Sequence, residues 1–218
     1  EIRMFGRGAH GSMPESSIDP VVMAASTVLR LQTIVSREVA PTDSAVVTVG
    51  SLQAGTKENV IPGEAIIKLN VRTFDESVRK RVLAAITRIV NAEAAVSGAP
   101  KPPEIIPLDQ YSLVKNDAGA TKKVVDAFLG NFPAGAIEQT KPTMASEDCG
   151  CFGTAWAVPA VYWFFGGDDP AVYAKAEKEG TLSSLPSNHN PGFAPVIHPT
   201  LETGVKALVV AAHAWLGA

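Results

Sequence analysis

The sequence has no cluster of lysine or arginine. Its 19 basic and 22 acidic residues leave a net charge of −3, so it carries no positive field of the kind that recruits nucleic acid. Long apolar runs are missing too. The most hydrophobic stretch, residues 158–165, has the length of a strand and not of a membrane span. Cysteine is scarce, and Cys149 and Cys151 are the only two. Neighbours that close seldom form a structural disulfide, so nothing calls for an oxidising compartment. A Cys-x-Cys pair can bind metal, but with no second pair nearby these read as free thiols. Repeats and low-complexity tracts are absent as well. The expectation is a chain with no nucleic-acid or membrane partner.

The 218 residues suffice for one large domain or two small ones. Residues 1–5 alternate as a strand does. Asp19-Pro20 then starts a helix, with Asp as cap and Pro at the first helical position. Val21, Ala24, Val28, Leu31 and Val35 recur at helical spacing and carry it to about Arg37. Residues 46–52 and 65–74 read as strands. In the second, Ile67, Leu69 and Val71 share one face while Lys68, Asn70 and Arg72 share the other. Thr73-x-x-Glu76 suggests a capping box for a second helix with Val78, Val82, Ala85 and Ile89 inward, stopping by Gly98-Ala99-Pro100. Residues 104–108 complete the set as an edge strand whose pairing Pro107 limits. The order β-α-β-β-α-β predicts a four-stranded sheet with both helices on one face.

The remainder reads differently. Asn116-Asp117 caps a helix to about Leu129, anchored by Val124, Val125 and Phe128. Residues 137–140 suggest a weak strand, and the continuous apolar run 158–165 a strand buried on both faces. A polar loop over 168–195 leads to a final helix from about Pro199 to Leu216, with Leu201, Val205, Leu208, Ala212 and Trp215 as its buried stripe. Two strands and two helices are too few to close a parallel sheet. The expectation is therefore the C-terminal portion of a longer protein.

Gly6-Arg7-Gly8-Ala9-His10-Gly11 satisfies G-x-G-x-x-G, the pattern of a dinucleotide-binding turn. That turn needs its last glycine to open a helix under the pyrophosphate. Here Ser12 to Ser17 intervene, and Gln53-Ala54-Gly55 stands where the next strand should end in a ribose-binding acid. The pattern fails its context, and the glycines instead permit tight backbone turns on either side of His10. From the residues alone, His10 is either a functional imidazole or a satisfied structural one.

Four segments in order, GRGAHGSMPESSIDPV, NVIPGEAIIKLNVRTFD, ASEDCGCF and SNHNPGF, resemble the metal-dependent amidohydrolases related to aminoacylase and carboxypeptidase G. The branch with hippurate hydrolases and indole-acetyl-amino-acid hydrolases is the most similar. The resemblance implies an α/β chain in two parts. Residues 1–112 would be the lid, or dimerisation, domain, and residues 113–218 the C-terminal segment of a zinc-peptidase-like catalytic domain. It implies hydrolysis of N-acyl amino acids or similar small amides and a homodimer formed through the lid. It also implies a divalent metal (zinc, manganese, cobalt or nickel) in the intact enzyme.

His10 matches a lid histidine that reaches into the partner's active site, where an imidazole can donate to the scissile carbonyl. Asn59 and Arg72 match lid positions that hold the substrate's carboxylate. Unaided, Asn59 reads rather as a turn residue and Arg72 as a solvated cation on a strand face. His189 matches the last metal-ligand histidine. Glu147 lies in an acidic segment near the site, or simply supplies negative charge to a helix start with Ser146 as cap. His198 and His213 receive no role. Glu15 stands where relatives carry a second histidine after the proline, and Cys149 replaces a large apolar residue. The family's other metal ligands and its catalytic glutamate are not in these residues. The chain alone is therefore expected to be inactive, and a dimeric binding module without catalysis is the alternative reading.

Overall fold

The computed structural model describes residues 1–145 and 147–217, so the suggested Ser146 cap lies outside the described residues. The chain divides into two compact units. One is Glu1–Gln110 with a short stretch around Met144, and the other is Tyr111–Pro142 with the chain from Glu147 on.

In the first unit the strands β1 (Ile2–Phe5), β3 (Ala45–Ala54), β5 (Glu64–Thr73) and β6 (Glu104–Ile105) form one sheet in the order β3-β5-β1-β6. Every pairing in it is antiparallel. Helices α1 (Pro20–Thr33) and α2 (Glu76–Val96) pack on each other and on the sheet. Ile2, Met4, Met23, Leu31, Ile34, Ile67, Val82 and Val90 are fully or almost fully buried between them. Asp19 caps α1 by accepting from the Val21 N–H at 2.8 Å. The cap of α2 is Asp75, which accepts from Ser77 and Val78, not the Thr73 box that the sequence suggests. The Ser77 hydroxyl also donates to the same oxygen, and it leads these backbone bonds in holding the Asp75 carboxyl below its ordinary range. The edge strand β6 stops at Ile105 rather than 108. The inward stripe of α2 is the expected one, while that of α1 is Pro20, Met23, Ala24, Thr27 and Leu31. Val21 and Val35 face out. Thr27 is tolerated inside because its hydroxyl donates to Met23 O at 2.8 Å.

A second ribbon extends the pairing of β1 with β5. Strands β2 (Ala9–His10) and β4 (Val60–Ile61) are antiparallel, with Ala9 opposite Ile61 and His10 opposite Val60. Phe5 is opposite Glu64, so Gly6, Arg7 and Gly8 on one side face only Pro62 and Gly63 on the other. That extra residue is a bulge. Arg7 turns out of the ladder to bridge Ile18. A side chain at Gly6 would lie 2.2 Å from Ile18 O, and one at Gly8 2.9 Å from Ile61 O. These glycines serve close backbone approach.

In the second unit, α3 (Ala118–Asn131), capped by Asp117, packs against α6 (Thr200–Leu216). Val124, Phe128, Ala207 and Ala211 form its buried cluster, and Trp163 meets Phe128 edge-on at 5.4 Å between ring centres. Between them lie α4 (Gly150–Trp156) and α5 (Pro170–Glu179). Neither 137–140 nor 158–165 is a strand, because no neighbouring strand among the described residues offers them a ladder. Asn116 partly substitutes, its carboxamide bonding both N–H and C=O of Tyr162 at 2.7 and 2.8 Å. The polar segment 168–195 contains α5, which Asp169-Pro170 opens as Asp19-Pro20 opens α1. The buried face of α6 is Gly204, Ala207 and Ala211, while Leu201, Val205, Leu208 and Trp215 are exposed. The expected stripe is on the wrong face. Gly204 is small enough for the Phe165 ring, which a Cβ there would meet at 3.0 Å. Among the described residues, no helix is long and apolar enough to cross a membrane.

Candidate active site

His10 sits at the end of the bulged ribbon, where three backbone constraints hold it. It pairs with Val60 in the short ladder, Gly11 N–H donates to Asn59 O at 2.8 Å, and Met13 N–H closes a turn onto His10 O at 2.8 Å. A Cβ on Gly11 would stand 3.0 Å from Asn59 O, so the turn after the histidine has room only for glycine without a shift. Ser12, the third residue of that turn, touches the imidazole. Its Oγ is 2.7 Å from Nδ1, and its backbone N–H donates to the same nitrogen at 3.2 Å. The ring is solvent-exposed. Asn59 is also exposed, in the tight turn that leads into β4. The structure therefore brings His10 and Asn59 together.

Arg72 is elsewhere. It lies eight residues along β5 from Glu64, roughly 26 Å at a strand rise of about 3.3 Å per residue, whereas His10 and Asn59 lie beyond the other end. Its Nε donates to Asn70 Oδ1 at 2.8 Å, and Nη1 donates to the Met144 carbonyl. Asn70 shares the Lys68–Arg72 face that strand alternation makes legible in the sequence. No carboxylate pairs with this half-buried guanidinium among the described residues. Its charge is thus free to meet an anion.

His189 and Glu147 belong to the second unit. His189 occupies the third position of a turn closed by Asn190 N–H onto Ser187 O at 2.9 Å. Its φ of 69° lies in the left-handed region, where histidine is enriched but still uncommon. The turn thrusts the imidazole into solvent. Glu147 is half-buried just before α4. Burial first, and then the Glu147 carboxylate among other nearby groups, push the Tyr162 phenol up. Burial and the negative charges of Glu147 and Asp148 likewise raise the Cys149 thiol. Cys149 and Cys151 are free thiols, with Cys149 only partly accessible.

Among the described residues, no three His, Cys, Asp or Glu side chains cluster to hold a metal ion. A catalytic ion takes about three protein ligands, and His189 offers one. The described residues of this chain do not fit a complete metal centre.

Residues 1–97 match the peptidase dimerisation domain. The chain is 45% identical over 98 residues to an N-acyl-L-amino acid amidohydrolase of Geobacillus stearothermophilus, which takes in 45% of this chain and 26% of that one. It is 33% identical over 177 residues to an N-acetyl-L-cysteine deacetylase of Bacillus subtilis, covering 77% of this chain and 39% of the relative. Among solved structures, a dinuclear metal-binding peptidase of the M20 family from Bacillus subtilis aligns with a TM-score of 0.50 at 26% identity. That alignment covers 71% of this chain and 38% of the other. The chain spans between about a quarter and a half of the length of the curated relatives it matches.

Proposed function

We propose, from the match of residues 1–97 to the peptidase dimerisation domain, that the chain supplies the lid and part of the catalytic domain of a cytoplasmic amidohydrolase of the M20 family. Its substrates are N-acyl amino acids or similar small amides, in keeping with the activities named for its relatives. Residues 1–112 are the lid and 113–218 the catalytic-domain segment. In the whole enzyme His189 is one ligand of a divalent ion, zinc, manganese, cobalt or nickel, whose other ligands lie outside the described residues.

The observation that carries the reading is the separation of His10 and Asn59 from Arg72. An N-acyl amino acid is far shorter than the roughly 26 Å of strand between the two places. One substrate meets both sets only where two copies of the lid contribute to one site. In that site His10 donates a hydrogen bond to the scissile carbonyl oxygen, and the bond strengthens as negative charge develops there. Arg72 from the other copy grips the substrate's carboxylate with a guanidinium fork, and the Asn59 carboxamide supplies a further donor. Glu147 adds an acidic group near the ligand loop. The ten-residue edge strand β3, with its outer row of backbone groups unpaired, is the surface we assign to self-association.

Steady-state kinetics on the full-length enzyme test the roles. His10→Ala is expected to lower kcat about 10²- to 10³-fold with metal content intact, because it removes a donor used mainly in the transition state. Arg72→Ala is expected chiefly to raise KM, since a carboxylate is held alike before and during reaction. His189→Ala is expected to lower metal occupancy. Loss of metal in His10→Ala with none in His189→Ala would reverse the two assignments and sink the reading.

A further inference from the structure

His10 has two ring nitrogens, and the structure treats them differently. Nδ1 receives the backbone N–H of Ser12 at 3.2 Å and lies 2.7 Å from the Ser12 hydroxyl. A backbone N–H can only donate, so Nδ1 must present a lone pair to it. The hydroxyl meets the same lone pair and therefore donates as well. In the neutral ring the proton then belongs to Nε2. Nε2 makes no hydrogen bond among the described residues, which leaves its N–H available. The surrounding backbone is fixed by the Val60 pairing, the Gly11–Asn59 bond and the turn closed by Met13, so Ser12 has little freedom to leave the ring.

We infer that Ser12 is a positioning residue that locks His10 in the Nε2–H tautomer and so aims that N–H at the substrate's carbonyl oxygen. The inference rests on the reading of His10 as the carbonyl donor. It adds what that reading lacks, a reason why the imidazole offers a proton rather than a lone pair. With the tautomer reversed, the outward nitrogen would face the carbonyl oxygen with a lone pair, and the two would repel. The arrangement is local in sequence, since Ser12 follows His10 by two residues and the intervening Gly11 admits the turn. The serine acts through the histidine and needs no contact with substrate.

The test is the tautomer itself, read by long-range proton–nitrogen correlation NMR on the 15N-labelled 218-residue chain at a pH where His10 is neutral. The wild-type ring is expected to show a protonated Nε2 and an unprotonated, hydrogen-bonded Nδ1. Ser12→Ala removes the shorter of the two bonds and is expected to relax the ring toward the mixture of a free imidazole, while Ser12→Thr keeps the hydroxyl and the wild-type spectrum. In the full-length enzyme Ser12→Ala is expected to lower kcat about 3- to 10-fold, the worth of one ordinary hydrogen bond, with KM little changed and Ser12→Thr restoring it. A wild-type ring protonated on Nδ1, or a tautomer ratio unmoved by Ser12→Ala, would overturn the inference. A ratio that responds to Ser12 while His10→Ala leaves kcat untouched would uphold the positioning and reject the carbonyl-donor role instead.

Discussion

The two units of this chain solve the burial problem to different degrees. In the first, every strand of the main sheet finds an antiparallel neighbour, and two helices cover one face. The largest core side chains there are almost wholly excluded from water. In the second, α3 and α6 pack through a small cluster, while Trp156, Phe165, Leu208 and Trp215 each remain more than half exposed. The apolar run 158–165 has no ladder. Antiparallel strands joined within about a hundred residues supply their own partners. A run that reads as a doubly buried strand needs neighbours on both sides and on both faces, and the second unit does not provide them among the described residues.

Substitutions can sharpen that contrast. The largest effect is expected for Ile67→Ala, which empties a fully buried site between sheet and helices. Denaturant melts of the first unit should show a loss of about 2–5 kcal/mol. A smaller loss of about 1 kcal/mol is expected for Asp19→Ala, which strips the α1 cap. Asp75→Asn should act through pH. The folded carboxyl is held below its ordinary range, so its stabilisation is present above the unfolded pKa and fades as pH falls through the folded one. The variant should therefore show a flatter acid limb in the same melts. The smallest change is expected for Leu208→Gln. Leu208 is 64% exposed on α6, so the substitution should stay within about 0.5 kcal/mol. A Leu208→Gln loss as large as that of Ile67→Ala would break the comparison, because it would mean that this face is covered.

How much was legible follows the same divide. The α2 stripe of Val78, Val82, Ala85 and Ile89 could be read directly, since one apolar face has no competitor around that helix. Along α1 and the turn that follows it, Val21, Val28 and Val35 offered a rival face, and Thr27 hid its buried position behind a polar name. On α6 large apolar side chains surround a small-residue face. Periodicity chose the bulk, whereas packing against α3 and Phe165 chose Gly204, Ala207 and Ala211. The helix α5 carried the same Asp-Pro start as α1 but lay in a segment polar enough to read as loop. For function, the resemblance carried by four motifs in order pointed to His10, Asn59, Arg72, Glu147 and His189 as candidates. Spacing along the chain did not reveal that Asn59 lies beside His10, because a two-residue ladder between distant segments makes that contact. Nor did it reveal the contact of Ser12 with His10, which depends on which ring nitrogen the turn presents.

The central claim is that each catalytic site takes His10 and Asn59 from one copy and Arg72 from another. Subunit mixing of impaired variants in the full-length enzyme, assayed at substrate well below KM so that a raised KM also reads as lost turnover, tests it most directly. Dimers reassembled from His10→Ala and Arg72→Ala chains should regain turnover, because one of the two sites in each mixed dimer then receives an intact His10 and an intact Arg72. Mixing His10→Ala with Asn59→Ala should regain none, because both residues arrive on the same ribbon and every mixed site lacks one of them. Recovery in the second mixture, or silence in the first with mixed dimers demonstrably present, would contradict the account.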